Sequence, residues 1–252
     1  MYGVYRGKES VMSKLAIGCS GFNYPHWRGT FYPGGMPQRL WLDHYASVFA
    51  SLELNVTFYR LPRPSTFEKW KLGTPPGFLF ALKGSRFITH IKRLRDPWEP
   101  LERFFAAALE LKEKIGAVLW QLPPGFRADT QRLRLFLELL EKYPVKNTLE
   151  FREESWLGDE AVSLCREHNI AICMADWPRF LDEPPLTADF VYIRRHGRGG
   201  DYATEYSHEQ LARDAERIRG YLGGGRDVFI YFNNDAQGYA PKNACDLKRL
   251  LK

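Results

Sequence analysis

The feature that most constrains this chain is an alternation repeated eight times: a short apolar run rich in β-formers, then an amphipathic or loop segment. The runs cover residues 15–20, 52–55, 78–83, 117–121, 148–152, 170–176, 190–196 and 228–233. Most segments between them carry apolar residues at a spacing near 3.6. Residues 37–49 align Leu40, Tyr45 and Val48, and residues 98–115 align Leu101, Phe104, Phe105, Ala108, Leu111 and Ile115. Residues 130–143 align Leu133, Phe136, Leu137 and Leu140 behind a cap at Asp129 or Thr130. Residues 207–222 open with Ser207 and Gln210 in capping-box spacing, and residues 243–251 form a closing helix. Only the crossover 177–188, rich in proline, is expected to be irregular. Strands that alternate with helices form parallel βαβ units, and eight units in some 250 residues predict an α/β fold, a single (β/α)8 TIM-type barrel.

No Gly/Ser tract divides the chain, so residues 15–252 are expected to form one barrel domain. Residues 1–14 are expected to be a short lead without fixed structure, and Met12 is an alternative start. The chain has 252 residues, 44% hydrophobic and 15% aromatic, enough to bury a large core. No run approaches the roughly 18 apolar residues of a membrane span, and the first residues lack the apolar stretch of a secretory signal. A cytoplasmic protein without a membrane partner is therefore expected. Four scattered cysteines show no metal spacing and are expected to be reduced. A net charge of +6 is a mild bias towards anionic partners.

Side chains alternate across a strand, so one parity of each run faces the barrel interior. On that parity lie Ser20, Glu53, Asn55, Lys83, Gln121, Glu150, Arg152, Asp176, Tyr192, Arg194, His196, Tyr231 and Asn233. All fall at or near the C-terminal ends of the runs, the end at which barrel enzymes build their sites. The stretch Asn147 to Arg152 is the clearest case: Leu149 and Phe151 point one way, Thr148, Glu150 and Arg152 the other, and Ser155 is expected to cap the next helix. The loop after the first run is aromatic and carries Tyr24 and Trp27, which could stack on a flat ligand or pack as a lid. Arg86, Phe87 and His90 follow the third run, and the glycine-rich turn 197–200 follows the seventh. Ser20 lacks the surroundings of a nucleophile elbow, and Cys19 points outward.

With these residues in view, the chain resembles the uncharacterised family called domain of unknown function 72, or YecE-like proteins. The resemblance rests on Ile17-Gly18-Cys19-Ser20-Gly21, Tyr24-Pro25-His26-Trp27-Arg28-Gly29, Phe31-Tyr32-Pro33 and Glu53-Leu54-Asn55-Val56-Thr57-Phe58-Tyr59-Arg60. It continues through Lys83, Arg86-Phe87-Ile88-Thr89-His90, Gln121-Leu122-Pro123-Pro124, Glu150-Phe151-Arg152, Arg194-Arg195-His196-Gly197 and Tyr231-Phe232-Asn233-Asn234-Asp235. The resemblance implies a TIM-type barrel and no established activity.

Three functions compete on the residues. The first is a metal-independent, hydrolase-like enzyme acting on a small anionic, hydroxylated molecule such as a phosphorylated sugar or a nucleic-acid fragment. Glu150 and Asp176, with Glu53 as partner and His196 in the catalytic set, would carry general acid–base chemistry, including cleavage of a glycosidic bond. Lys83, Arg152, Arg194 and His196 would hold phosphate or carboxylate oxygens. Ser20, Tyr24, Trp27, Asn55, His90, Gln121, Tyr192, Tyr231 and Asn233 complete the substrate-binding set. The second is a divalent-metal isomerase or nuclease with Glu150, Asp176 and His196 on the ion. It ranks lower because two arginines share those faces, and no other cofactor is expected. The third is a non-catalytic module that binds a protein or a nucleic acid through Arg28, Arg86, Arg198 and the aromatic loop.

Overall fold

The computed structural model describes residues 13–252. Met12 and the rest of the expected lead up to that point lie outside the described residues. Of the two lead residues described, Ser13 donates its hydroxyl to the Leu222 carbonyl at 3.1 Å and Lys14 its N–H to Asp227 at 2.7 Å.

Nine strand segments occupy the eight expected runs: β1 (Leu15–Cys19), β2 (Ser51–Leu54), β3 (Leu79–Lys83), β4 (Ile115–Gln121), β5 (Asn147–Glu150), β6 (Ala171–Ile172), β7 (Met174–Ala175), β8 (Phe190–Arg195) and β9 (Asp227–Phe232). The helices are α1 (Trp41–Val48), α2 (Val56–Tyr59), α3 (Pro64–Leu72), α4 (Trp98–Ala108), α5 (Thr130–Leu140), α6 (Asp159–Glu167), α7 (His208–Gly223) and α8 (Tyr239–Leu250). Every strand pairing is parallel. The period-two pattern sorts the core into two compartments. Ala81, Ala117, Leu119, Tyr192, Phe229 and Tyr231 cluster on one face of the strands, while Ile17, Leu82, Trp120, Leu149 and Ile230 pack with the helices.

The ladders do not form one continuous ring. One sheet runs β2-β3-β4-β5-β6 and the other β1-β9-β8-β7. At each junction a buried hydroxyl stands where ladder bonds would run. Between β1 and β2, the Cys19 N–H donates to Tyr45 Oη at 2.7 Å, which donates to the Ser51 carbonyl at 2.9 Å. Gly18 makes room for this, since a Cβ there would lie 2.1 Å from the Ser51 oxygen. At the other junction the sixth run breaks at Cys173, leaving β6 on β5 and β7 on β8. There Thr187 Oγ1 accepts the Ile172 N–H at 3.2 Å and donates to the Ile170 carbonyl at 2.6 Å. A single bridge, Ser20 to Glu53, joins the edges of the two sheets at the strand ends.

Several helix boundaries depart from expectation for local reasons. The segment 98–115 is not one helix: α4 ends at Ala108, a tighter turn covers Leu109–Lys114, and Ile115 already belongs to β4. Lys114 fixes that turn by donating to the carbonyls of Lys71 and Thr74 at 2.6 and 2.7 Å. Ser155 caps no helix; its hydroxyl accepts the Ala128 N–H at 2.9 Å, and α6 starts after Gly158. Asp129 caps α5 and Ser207 with Gln210 forms the capping box of α7, both as expected. No helix among the described residues is long and apolar enough to cross a membrane.

Candidate active site

Above the apolar interior the strand ends build a layered polar cluster. At its base Tyr231 Oη meets Ser51 Oγ at 2.6 Å, and Tyr192 donates to Glu53 Oε2 at 2.6 Å; both tyrosines are fully buried.

The next layer is ionic. Arg194, 1% exposed, donates from Nε and Nη2 to Glu53 Oε1 at 3.2 and 3.0 Å, and from Nη1 to Glu150 Oε2 at 2.7 Å. Nη2 also reaches Ser20 Oγ at 3.2 Å, and Nη1 reaches His196 Nε2 at 3.0 Å. Ser20 itself donates to Glu53, and Arg152 donates to the free oxygen of Glu150. Burial alone would raise the Glu150 carboxyl, but Arg194 and Arg152 overcome it and hold the group well below the usual carboxylate range.

His196 has one consistent protonation state. Its Nε2 faces N–H groups of both Arg194 and Arg152, at 3.0 and 3.1 Å, and a guanidinium can only donate. Nε2 is therefore the bare nitrogen and Nδ1 carries the proton, pointing at Asp176 Oδ1 at 3.3 Å. Burial drives its pKa down, the Asp176 contact opposes this, and Arg194 adds to the fall. Asp176 is fixed in turn by the His196 backbone N–H at 2.9 Å and by the Tyr206 hydroxyl. Although burial works against it, these hydrogen bonds keep its carboxyl below the ordinary value.

The outermost groups are half-buried, apart from the buried Arg152, and partly unsatisfied. Asn55 donates to Ser20 Oγ at 2.8 Å, yet its buried Oδ1 has no partner among the described residues. Arg152 donates from Nη1 to the Trp177 carbonyl at 2.9 Å and lies 4.5 Å over the Trp177 ring, but its buried Nε likewise has no partner among the described residues. Lys83 Nζ sits 4.4 Å from the Phe58 ring centre. His90 packs edge-on against the same ring, 5.0 Å between centroids. Burial, then the charges of Lys83, Arg86 and Arg152, push the His90 pKa down to about 4. That imidazole reports a rim of concentrated positive charge.

The family model "Protein of unknown function DUF72" matches residues 16–252. The chain belongs to the DUF72 family. It is 25% identical to the UPF0759 protein YunF of Bacillus subtilis (strain 168), over 88% of this chain and 90% of that one. A solved DUF72 family protein from Thermotoga maritima MSB8 superposes with a TM-score of 0.83 and 31% identity, covering 94% of this chain and 99% of that one. D-psicose 3-epimerase from Clostridium cellulolyticum H10, solved with D-tagatose, reaches a TM-score of 0.55 at 11% identity, covering 94% and 98%. That last likeness is one of fold alone.

In this DUF72 chain the strand-end set is brought together almost whole, but its members divide by depth. Tyr192 and Tyr231 lie beneath the ionic layer, and Arg194 is part of it, so none is positioned to touch a ligand directly. Trp27 is also fully buried, donating from Nε1 to the Asp235 carbonyl at 3.1 Å, so it is a packed lid residue and offers no stacking face. Tyr24 stays half-buried over Ser20, donating to its carbonyl at 2.8 Å. Gln121 and Asn233 are half-buried at the ends of β4 and β9. Gly197 and Gly199 of the glycine-rich turn line a 230 Å³ cavity beside α7, together with Arg195, Arg198 and Asp214. Tyr206, Trp177 and Phe58 were missed because they sit on crossovers, where strand parity gives no orientation. The metal set fits poorly: Glu150 and His196 Nε2 both face arginine N–H groups where an ion would need their lone pairs. Among the described residues no group of three or more acidic, His or Cys side chains is arranged to hold a metal.

Proposed function

We propose that the strands of this DUF72 protein close into a (β/α)8 barrel and that its C-terminal mouth is the active site of an enzyme for a small anionic, hydroxylated molecule. The observation that carries this reading is the set of outer groups left without hydrogen-bond partners among the described residues: the Lys83 amine, Arg152 Nε and Asn55 Oδ1, beside a His90 kept neutral by burial and by neighbouring cations. Two cationic side chains and an imidazole suit phosphate or carboxylate oxygens, while Asn55, Gln121 and Asn233 suit hydroxyls. Arg194 is excluded as the anion holder by its five occupied donors, and Arg152 and Lys83 take that role.

Proton transfer then falls to Lys83, because the His196 Nε2 lone pair is taken by the N–H groups of Arg194 and Arg152. Cleavage by a pair of carboxylates needs one of them protonated near neutral pH. Glu150 and Asp176 are both held on the ionised side, which disfavours a glycosidase of that type. Their role in this reading is electrostatic, Glu150 balancing the arginines and Asp176 orienting His196.

The test is a thermal-shift panel of phosphorylated sugars, sugar acids, short oligonucleotides and divalent metals on the native chain and on Lys83→Met. Small anions are expected to raise Tm by a few degrees, as about 2.7 kcal/mol of linkage does at a hundredfold excess over Kd, and the variant should lose the response. A response confined to oligonucleotides and abolished by salt would contradict the reading.

A further inference from the structure

Lys83 differs from Arg152 and Arg194 in being neither neutralised nor held among the described residues. It ends β3, a central strand of its sheet, where its backbone pairs with Leu119 of β4 and its carbonyl accepts the Thr57 hydroxyl at 2.7 Å. Its Nζ has no ion-pair partner and no hydrogen bond among the described residues, only the Phe58 ring on one side. The carboxylates that could neutralise it are engaged by other donors. Glu53 receives Ser20, Tyr192 and Arg194, while Glu150 receives Arg152 and Arg194. An anchor for a bound anion needs only a charged ammonium. A half-buried amine on a rigid strand, beside two guanidiniums that supply positive charge as well, can also act as a nucleophile once it loses its proton.

We propose that Lys83 forms an imine with an anionic, hydroxylated aldehyde or ketone bound at the mouth. The Nζ lone pair adds to the carbonyl carbon as the C=O π bond breaks, and a proton passes from nitrogen to oxygen to give a carbinolamine. That adduct expels one water molecule, with one proton taken up from solvent, and leaves a protonated imine. No electrons are exchanged with an outside partner. The inference rests on the anionic-substrate reading for its choice of carbonyl compound. Burial, then the Arg194 charge, lowers the Lys83 pKa to about 8, against the opposing pull of Glu150 and Glu53. At pH 7.5 about a quarter of such an amine is neutral, against about one part in a thousand for an ordinary lysine.

The experiment reduces the native chain with sodium borohydride in the presence of dihydroxyacetone or dihydroxyacetone phosphate and maps the modified lysines by peptide mass spectrometry. The expected result is a secondary-amine adduct on Lys83, formed at least about tenfold faster than on the other lysines. Its rate should be half-maximal near pH 8. A further gain in rate with the phosphorylated ketone, suppressed by inorganic phosphate, would support the inference and the anionic reading together. Equal trapping of both ketones on Lys83 would support the imine and contradict the anionic reading. Modification of Lys83 no faster than of surface lysines, with both ketones and at every pH, would overturn the inference, even if anions stabilise the protein. Because the peptide map is read on the unaltered chain, the outcome does not depend on a variant that folds.

Discussion

Arg194 has five N–H groups, and the structure gives each an acceptor: Glu53 twice, and Glu150, Ser20 and His196 once each. Replacing it with Met would leave two buried carboxylates short of a cation. Removal of one partner of a buried pair costs about 3–5 kcal/mol, so Arg194→Met should lower the urea midpoint by that equivalent, and a loss below about 1 kcal/mol would contradict this role. A second expectation concerns acid. Asp176 titrates lower folded than unfolded, so the folded chain binds fewer protons near the ordinary carboxylate pKa of about 4. Glu150 behaves in the same way. Their contribution is present above that pH and lost as pH falls through the folded values. Urea midpoints taken between pH 6 and pH 3 should drop steeply, and Asp176→Asn should flatten part of the drop. An equal slope in the variant would remove Asp176 from the account.

At the scale of elements, the two junctions between sheets hold the greatest surprise. Tyr45→Phe removes one hydroxyl but strands two buried backbone groups, the Cys19 N–H and the Ser51 carbonyl. A cost of about 2–4 kcal/mol is expected, with faster hydrogen exchange at the Cys19 amide. Unchanged stability would mean that the β1–β2 junction closes without the hydroxyl. The strands themselves were legible in the sequence because burial imposes a period of two along each run, and Ser20, Glu53, Glu150, Arg194 and His196 could be oriented from it. The junctions were not legible, because nothing local to Tyr45 or Thr187 signals a hydrogen bond to a strand distant in the fold. The same limit explains Ser155, whose hydroxyl serves Ala128 across a turn, and Trp27, whose burial depends on packing against the Asp235 loop. Depth was equally hidden: parity says which face Arg194 and Tyr231 share, not how far below the mouth they lie.

For the molecule as a whole, charge is arranged vertically. The Arg194–Glu53–Glu150 layer is hydrogen-bonded internally and gives the mouth a fixed floor, while Lys83, Arg86 and Arg152 leave the rim positive. His90 is the natural probe of that field, because its lowered pKa arises from burial and then from those cations. The most direct measurement is therefore an NMR titration of the His90 imidazole, without and with inorganic phosphate or a sugar phosphate. The expected result is a pKa near 4 in the free protein that rises when the anion occupies the rim. An ordinary value of about 6.5 that no anion moves would contradict the positive mouth, and with it the assignment of the site to an anionic substrate.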